Sequence, residues 1–157
     1  MIVEKIEGNL ADTDIGGLER DDVYMEWYEA EKKVLHKTSA GGIEIGIRNG
    51  GDSPLHDGDI LYKDDRKVLI LNILETCCIA LKPETMAEMG KACYEMGNRH
   101  APLFIEENEL LTPFDEPLLA FLVKCGFSVE KKNARLKIPV GGYAHGHAQG
   151  HSQGHAH

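Results

Sequence analysis

The sequence predicts an α+β protein in which a β-rich N-terminal domain is followed by a ferredoxin-like domain and a disordered tail. Residues 1–74 have the pattern of β-strands, and residues 43–47 alternate between apolar and other residues with a period of two. This alternation places one face of a strand toward the interior. Residues 75–140 carry strand and helix patterns in the order β-α-β-β-α-β. Residues 141–157 contain only Gly, Ala, Gln, Ser, His and one Tyr, a composition that cannot bury a core.

Short strands account for most of the N-terminal region. Residues 1–6 and 23–28 are rich in β-branched and aromatic residues, and residues 57–62 lead into residues 67–73 across Asp64-Asp65-Arg66, as in a β-hairpin. Gly41-Gly42 and Gly50-Gly51 indicate turns. Many short strands with frequent turns predict a small sandwich or barrel.

The first helix of the second domain follows a strand at residues 76–81 and begins after Pro83. Thr85 and Glu88 have the spacing of a capping box. We expect Gly97 to end this helix, since glycine tolerates the left-handed C-terminal position. One apolar stripe is predicted for this helix, with the spacing three, four and three, at Met86, Met89, Cys93 and Met96.

A hairpin, a second helix and a last strand complete the predicted domain. Residues 103–105 and 110–111 flank the polar Glu106-Glu107-Asn108-Glu109 turn, whose carboxylates we expect to be solvated. Asp115 can cap the second helix, and Gly126 marks its end. Its apolar face is predicted to contain Leu118, Phe121, Leu122 and Cys125. Val129 and residues 136–138 indicate the last strand.

Composition excludes several classes of function. The 157 residues carry a net charge of −9, which argues against nucleic acid as a partner and against anionic membrane surfaces. We find no signal peptide and no apolar run long enough to span a membrane. Four cysteines occur outside any C-x-x-C pair, which is typical of reduced thiols. We therefore expect a cytoplasmic protein.

The tail is a candidate metal site, because five of the eight histidines lie in its seventeen residues. They are His145, His147, His151, His155 and His157. Neutral imidazole suits zinc, copper and nickel, and the tail by itself does not select among them. One alternative is an expression tag, but tags are normally unbroken histidine runs. A second alternative is an inert tail of biased composition.

His100 is the other candidate ligand. It follows Gly97-Asn98-Arg99 and precedes Ala101-Pro102, so we expect it in an exposed connector. On the residues alone, an ordinary surface histidine is the favoured interpretation. Two copies related by a two-fold axis, with tail histidines, could however supply three or four ligands.

Two motifs carry a family resemblance. The first is Lys82-Pro83-Glu84-Thr85-Met86-Ala87-Glu88-Met89-Gly90 followed by Tyr94-Glu95-Met96-Gly97-Asn98-Arg99-His100, and the second is Leu55-His56-Asp57-Gly58-Asp59-Ile60-Leu61. Together with the histidine tail, they resemble the UreE family of urease accessory proteins, which are nickel metallochaperones. The resemblance covers the whole chain.

The resemblance implies a function and a set of partners. It implies a homodimer and leaves open whether two dimers join through metal. The dimer would bind Ni²⁺ through His100 of both subunits together with tail histidines. Zn²⁺ or Cu²⁺ could occupy the same site. It implies delivery of nickel to apo-urease through the GTPase UreG and an accessory complex, and a first domain similar to a peptide-binding module. Some members carry a further His-x-His pair in the hairpin, which this chain lacks.

Other readings predict different behaviour. A metal-dependent enzyme would use His100 with nearby carboxylates, but the chain contains none of the nucleotide-loop, esterase or zincin motifs, and we expect no enzyme. A general divalent-metal buffer would need no dimer site.

Cys77 and Cys78 point to opposite faces of a strand, and we expect Cys93 and Cys125 to be core residues. His36 and His56 are interpreted as non-ligands.

Overall fold

A computed structural model describes residues 1–50 and 53–141 of the chain. The predicted disordered tail from residue 142 onward, with its five histidines, lies outside the described residues. Six strands and a short 3₁₀ helix precede residue 74: β1 (Ile2–Val3), β2 (Glu19–Met25), the 3₁₀ helix (Trp27–Glu29), β3 (Val34–Thr38), β4 (Glu44–Arg48), β5 (Ile60–Lys63) and β6 (Lys67–Ile73).

Two three-stranded sheets form the N-terminal part, with the strand orders β1-β4-β3 and β2-β6-β5. Alternate residues of both sheets enter one core, which includes Val23 and Ile73 from one sheet and Leu35, Ile45 and Ile47 from the other. The predicted sandwich is therefore confirmed. The predicted β5–β6 hairpin is present, and the Asp64 carboxylate accepts the N–H groups of Arg66 and Lys67 at 2.8 Å each.

Some N-terminal boundaries differ from the prediction. The strand expected at residues 1–6 is only two residues long, and β2 ends at Met25. Residues 27–29 form a 3₁₀ helix, in which the Glu29 carboxylate accepts the Glu26 N–H at 2.9 Å and the Glu29 N–H donates to the Glu26 carbonyl at 3.0 Å. Strand β3 was not predicted, because only Leu35 of its five residues is buried and the apolar alternation is weak.

The C-terminal part has the ferredoxin-like order that the sequence predicts. Its elements are β7 (Glu75–Leu81), α1 (Met86–Asn98), β8 (Phe104–Glu106), β9 (Glu109–Pro113), α2 (Glu116–Lys124) and β10 (Val129–Arg135). The sheet order is β10-β7-β9-β8, and all three pairings are antiparallel. Both helices cover one face of this sheet, where Ile79 and Leu81 pack with Ala92, Met96 and Leu122.

The other face of the C-terminal sheet contacts the N-terminal part. Cys78, Ala80, Phe104 and Leu111 form a second cluster on that face, and Trp27 packs against it. The rings of Trp27 and Phe104 meet edge to face with centroids 5.4 Å apart, a favourable aromatic geometry. The two parts are thus joined through a buried aromatic contact.

The C-terminal prediction is wrong at Met86, at Cys125 and at the end of the last strand. Met86 is 92% exposed, because it lies in the first turn of α1, ahead of the buried residues Ala92 and Met96. Cys125 is exposed, since α2 ends at Lys124 and Cys125 is its C-cap. Strand β10 ends at Arg135, which pairs with the first residue of β7, so residues 136–138 have no strand left to pair with.

Among the described residues, neither helix is long and apolar enough to cross a membrane.

Candidate functional site

His100 lies immediately after the C-terminal end of α1. The helix closes with a Schellman motif: the N–H of His100 donates to the Gly97 carbonyl at 3.0 Å, and the N–H of Ala101 donates to the Met96 carbonyl at 3.1 Å. The residue in the left-handed position is His100, with φ of 54°. The prediction that Gly97 fills this position is wrong, because the helix continues through Asn98 and the reversal comes two residues later.

The conformation of His100 is uncommon for a residue with a Cβ atom. Left-handed backbone costs an L-residue roughly 1–2 kcal/mol compared with right-handed helical geometry, and glycine is the usual residue at this position of the motif. The imidazole is exposed, so burial of the side chain among the described residues does not offset this free-energy cost. Strain at an exposed polar residue is a signal of function.

The connector that carries His100 is fixed on both sides. The guanidinium carbon of Arg99 lies 3.4 Å from the centroid of the Phe121 ring on α2, which is a cation–π contact. Ala101 packs into the helix-side core. The sequence did not lead us to identify Arg99 as a residue that positions His100. The signal available in the sequence was its place directly before His100, together with the aromatic Phe121 in the second helix.

One face of α1 leads to His100 and has no packing partner among residues 1–50 and 53–141. We call Met86, Gly90, Tyr94 and Gly97 the α1 outer face; their spacing is four, four and three. Met86 and Tyr94 are 92% and 67% exposed. A Cβ atom added at Gly90 or Gly97 would meet nothing within 4 Å. The protomer itself therefore does not require glycine at either position.

The residues around His100 do not complete a metal site within one protomer. Across residues 1–50 and 53–141, no group of three or more His, Cys, Asp or Glu side chains is placed to hold a metal ion. His36 lies on β3 in the N-terminal part, and His56 lies in the loop before β5, where its N–H donates to Asp59 at 2.7 Å. The described part of the chain brings neither histidine together with His100 in a ligand cluster.

The cysteines lie in different environments. Cys78 is fully buried and Cys77 is half-buried, as expected for neighbours on a strand. Burial raises the pKa of the Cys78 thiol and also that of Cys93, whose Sγ lies 3.7 Å from Met89 Sδ. A raised pKa keeps a thiol protonated, and metal ions bind the thiolate.

The acidic hairpin differs from the expectation of a fully solvated turn. Glu106 and Glu107 are exposed, but Glu109 is only 9% exposed. Its Oε2 atom accepts from Lys132 Nζ on β10 at 2.5 Å, whereas its buried Oε1 atom has no hydrogen-bond partner among the described residues. The pKa of Lys132 is raised by this hydrogen bond.

The chain returns to the His100 connector just before the described residues end. After β10, Leu136 is buried on the sheet face opposite the helices. The N–H of Val140 then donates to the carbonyl of Leu103 at 2.6 Å. The last described residues therefore lie beside the segment that contains His100.

The Asp57-Gly58-Asp59 turn has a structural role. Asn9 Nδ2 donates to the Asp57 carbonyl and to the Asp59 carboxylate, and Gly58 has φ of 84°, which favours glycine. The Asp57 carboxylate accepts the Ile73 N–H at 2.8 Å and lies 3.5 Å from the Arg135 guanidinium. The turn thus links the N-terminal part to β10.

Comparison with known proteins gives matches over both parts of the chain. The model of the UreE urease accessory protein N-terminal domain matches residues 3–74, and that of the C-terminal domain matches residues 75–157. A urease accessory protein UreE from Acetivibrio thermocellus is 54% identical over 146 residues, which cover 93% of this chain and 95% of that protein. UreE from Flavobacterium johnsoniae is 38% identical (87% and 83% covered), and UreE from Helicobacter acinonychis is 40% identical (80% and 76% covered).

The fold and both matches define the class as urease accessory proteins. Within that class, the chain belongs to the UreE family. The resemblance stated from the sequence motifs is confirmed.

Proposed function

We propose that this protein is a cytoplasmic metallochaperone and not an enzyme, and that it carries Ni²⁺ to apo-urease during urease maturation. Zn²⁺ and Cu²⁺ can take the same ligands, because imidazole binds all three ions. The observation that carries the proposal is His100, an exposed imidazole held in a strained backbone conformation at the end of α1.

A single imidazole holds a metal ion weakly, so further ligands have to come from elsewhere. The α1 outer face offers a contact for a second copy: Met86 and Tyr94 are exposed apolar side chains, and Gly90 and Gly97 leave room for close approach of another helix. A two-fold axis near this face brings His100 of both subunits to one ion. The α1 outer face thus supports a homodimer with the metal at its interface, and such dimers can join further around metal.

The tail histidines are near enough to His100 along the chain to complete the coordination. Val140 is hydrogen-bonded to Leu103, and Leu103 lies three positions after His100, a span of at most about 11 Å. His145 follows Val140 by five residues, which reach at most about 18 Å. Tethering gives His145, His147, His151, His155 and His157 a high effective concentration at the interface.

Transfer requires a recipient, and the family indicates its class. Membership of a urease accessory family supports a role within the complex that matures urease, with the GTPase UreG as the direct recipient. A chaperone has to release its ion. Imidazole ligands support release, because they exchange metal when a partner offers competing ligands and when protons compete for the ring.

Calorimetry with Ni²⁺ and Zn²⁺, together with measurement of the oligomer size, tests the proposal. We expect the intact chain to be a dimer with one tight site per dimer, and His100→Ala to abolish that site. Truncation after Gly142 should lower capacity and weaken the remaining site. The matched control is His36→Ala, which removes an exposed imidazole on β3 and should change neither quantity.

Other outcomes would identify the alternatives. If His100→Ala keeps the tight site and truncation removes all binding, the protein is a passive divalent-metal buffer that uses the tail alone. Turnover of a substrate by the metal-loaded truncated chain would indicate a metal-dependent enzyme instead.

A further inference from the structure

The last turn of α1 is weakly held by its own backbone. Gly97 and Asn98 occupy this turn, and both residue types have a low helix propensity. The N–H of Arg99 is shared between the carbonyls of Glu95 and Met96 at 3.3 and 3.2 Å, which is longer than the usual distance of about 2.9–3.0 Å. Helix ends of this kind open easily, so contacts from outside α1 are needed to keep the turn closed.

The side chain of Arg99 supplies such a contact to α2. Its guanidinium carbon lies 3.4 Å from the centroid of the Phe121 ring, and Phe121 is itself half-buried against the helix-side core. Within residues 1–50 and 53–141, the Arg99 side chain forms no salt bridge and no hydrogen bond. The ring face of Phe121 is therefore the partner that the described part of the chain offers to this charge.

We propose that Arg99 and Phe121 form a clamp that positions His100 for the metal ion. The stacked guanidinium ties the residue before His100 to α2, and Ala101 ties the residue after it to the core. The left-handed conformation of His100 is then held between two fixed points. A ligand that is already ordered loses less conformational entropy when the metal binds. This inference rests on the proposed function, because it takes His100 as a ligand.

The charge of Arg99 by itself would have the opposite effect on metal affinity. A guanidinium beside a cation site repels the ion, so its removal would tighten binding if only the Coulomb interaction mattered. Loss of the clamp weakens binding instead. A cation–π contact at an exposed site contributes a factor of about two to five, and an ion shared by two subunits loses two clamps. We therefore expect Arg99→Gln to weaken the nickel site about five- to thirtyfold.

Calorimetry with Ni²⁺ on the full-length chain tests this sign. Arg99→Lys keeps the charge and can place its ammonium over the ring, so it should recover part of the affinity. Lys131→Gln is the matched control, because Lys131 Nζ lies 4.4 Å from the Phe114 ring in the same domain and the substitution removes the same charge. It should leave the affinity unchanged. Tighter nickel binding in Arg99→Gln would overturn the proposal.

A double-mutant cycle assigns the effect to the ring. Phe121→Leu keeps an apolar side chain without a ring face, and in that background Arg99→Gln should cost no further nickel affinity. Equal losses with and without the ring would show that Arg99 does not act through Phe121.

Backbone ¹⁵N order parameters of the metal-free chain test the clamp without any metal. We expect residues 97–100 to have values of about 0.85 in the wild type, as in rigid backbone, and values below about 0.6 in Arg99→Gln. Lys131→Gln should keep this segment rigid. Arg99 is exposed, so urea unfolding should show that Arg99→Gln remains folded. Order parameters that do not change in Arg99→Gln would overturn the clamp.

The two proposals fail separately. If His100→Ala abolishes the tight nickel site while Arg99→Gln binds nickel as the wild type does, the positioning role is wrong and the function stands. If His100→Ala keeps the tight site, the proposed function is wrong, and the order parameters still decide whether the clamp holds the connector.

Discussion

His100 has a left-handed backbone and an exposed side chain, as Glu107 in the β8–β9 hairpin also has. Its backbone is left-handed, where glycine is most stable, and its side chain is exposed, so packing does not hold it there. Asn, Asp and His are enriched among the non-glycine residues that adopt this conformation. The Schellman hydrogen bonds of His100 and Ala101 hold the conformation in place, and they direct the imidazole from a rigid helix end.

We predict that His100→Gly stabilises the metal-free protein, while His100→Ala does not. Glycine relieves the left-handed strain, and the difference in the free energy of unfolding between the Gly and Ala variants should be about 1 kcal/mol. Urea denaturation of both variants, each of which lacks the imidazole, provides the measurement. Equal stabilities would mean that the backbone at residue 100 is not strained.

Asp64 gives a pH-dependent contribution to stability. The N–H groups of Lys67 and Arg66, in that order of size, lower the pKa of its carboxyl group. A pKa that is lower in the folded than in the unfolded state stabilises the fold above the unfolded value, and this contribution is lost as the pH falls through the folded value.

We therefore predict that Asp64→Asn, which keeps an acceptor in the turn, destabilises the protein near pH 7. The difference from wild type should shrink below roughly pH 4, where the wild-type carboxylate takes up its proton. Chemical denaturation across the acid range measures it. A difference that grows toward low pH would contradict the prediction.

At the level of the element, α1 shows how local signals start and end a helix. Thr85 Oγ1 accepts the Glu88 N–H at 3.1 Å, which confirms half of the predicted capping box. The other half differs, because the Glu88 carboxylate accepts the N–H of Glu84 at 2.9 Å and not that of Thr85. Two backbone donors at the N-terminal end of α1 are still satisfied, and the negative charge of Glu88 lies at the positive end of the helix dipole.

We predict that Thr85→Ala lowers the free energy of unfolding by about 1 kcal/mol, the usual cost of losing an N-cap side chain. Thr85→Ser keeps a hydroxyl and should cost much less. Thermal and urea unfolding of the two variants measure the difference. If both substitutions have the same effect, the hydroxyl group does not contribute to the cap.

At the level of the whole molecule, the α1 outer face and the joint between the two parts determine what surrounds His100. Trp27 contacts Phe104, and Asp57 lies 3.5 Å from Arg135, so the N-terminal part is held against the sheet that supports the site. The α1 outer face lies on the helix side of that sheet and is open to a second copy. The proposed metal site shared between copies requires this face as well as His100.

We predict that Tyr94→Glu gives a monomer and weakens the tight nickel site at least about tenfold, because a charge in the middle of an apolar interface is desolvated without a partner. Tyr24→Glu is the matched control, since Tyr24 is 47% exposed on β2. Sedimentation and calorimetry provide the measurements. A Tyr94→Glu variant that remains dimeric would show that the interface lies elsewhere.

The sequence by itself determined the features that depend on neighbouring residues. The period of two at residues 43–47, the caps at Thr85 and Asp115 and the order of the second domain all agree with the structure. These signals are local, because a cap or a period is set by residues a few positions apart. His100 was different: its residues alone favoured an ordinary surface histidine, and the family resemblance made it the first choice of ligand.

Only the tertiary structure decided which residues these elements bury and where the chain turns. The exposure of Met86, the end of β10 at Arg135 and the position of Trp27 against Phe104 depend on elements that are far apart in the sequence. The same holds for the left-handed conformation of His100, because Ala101 has to turn back into the core beside Met96. Helical periodicity contains no information about which partner surface an apolar position meets.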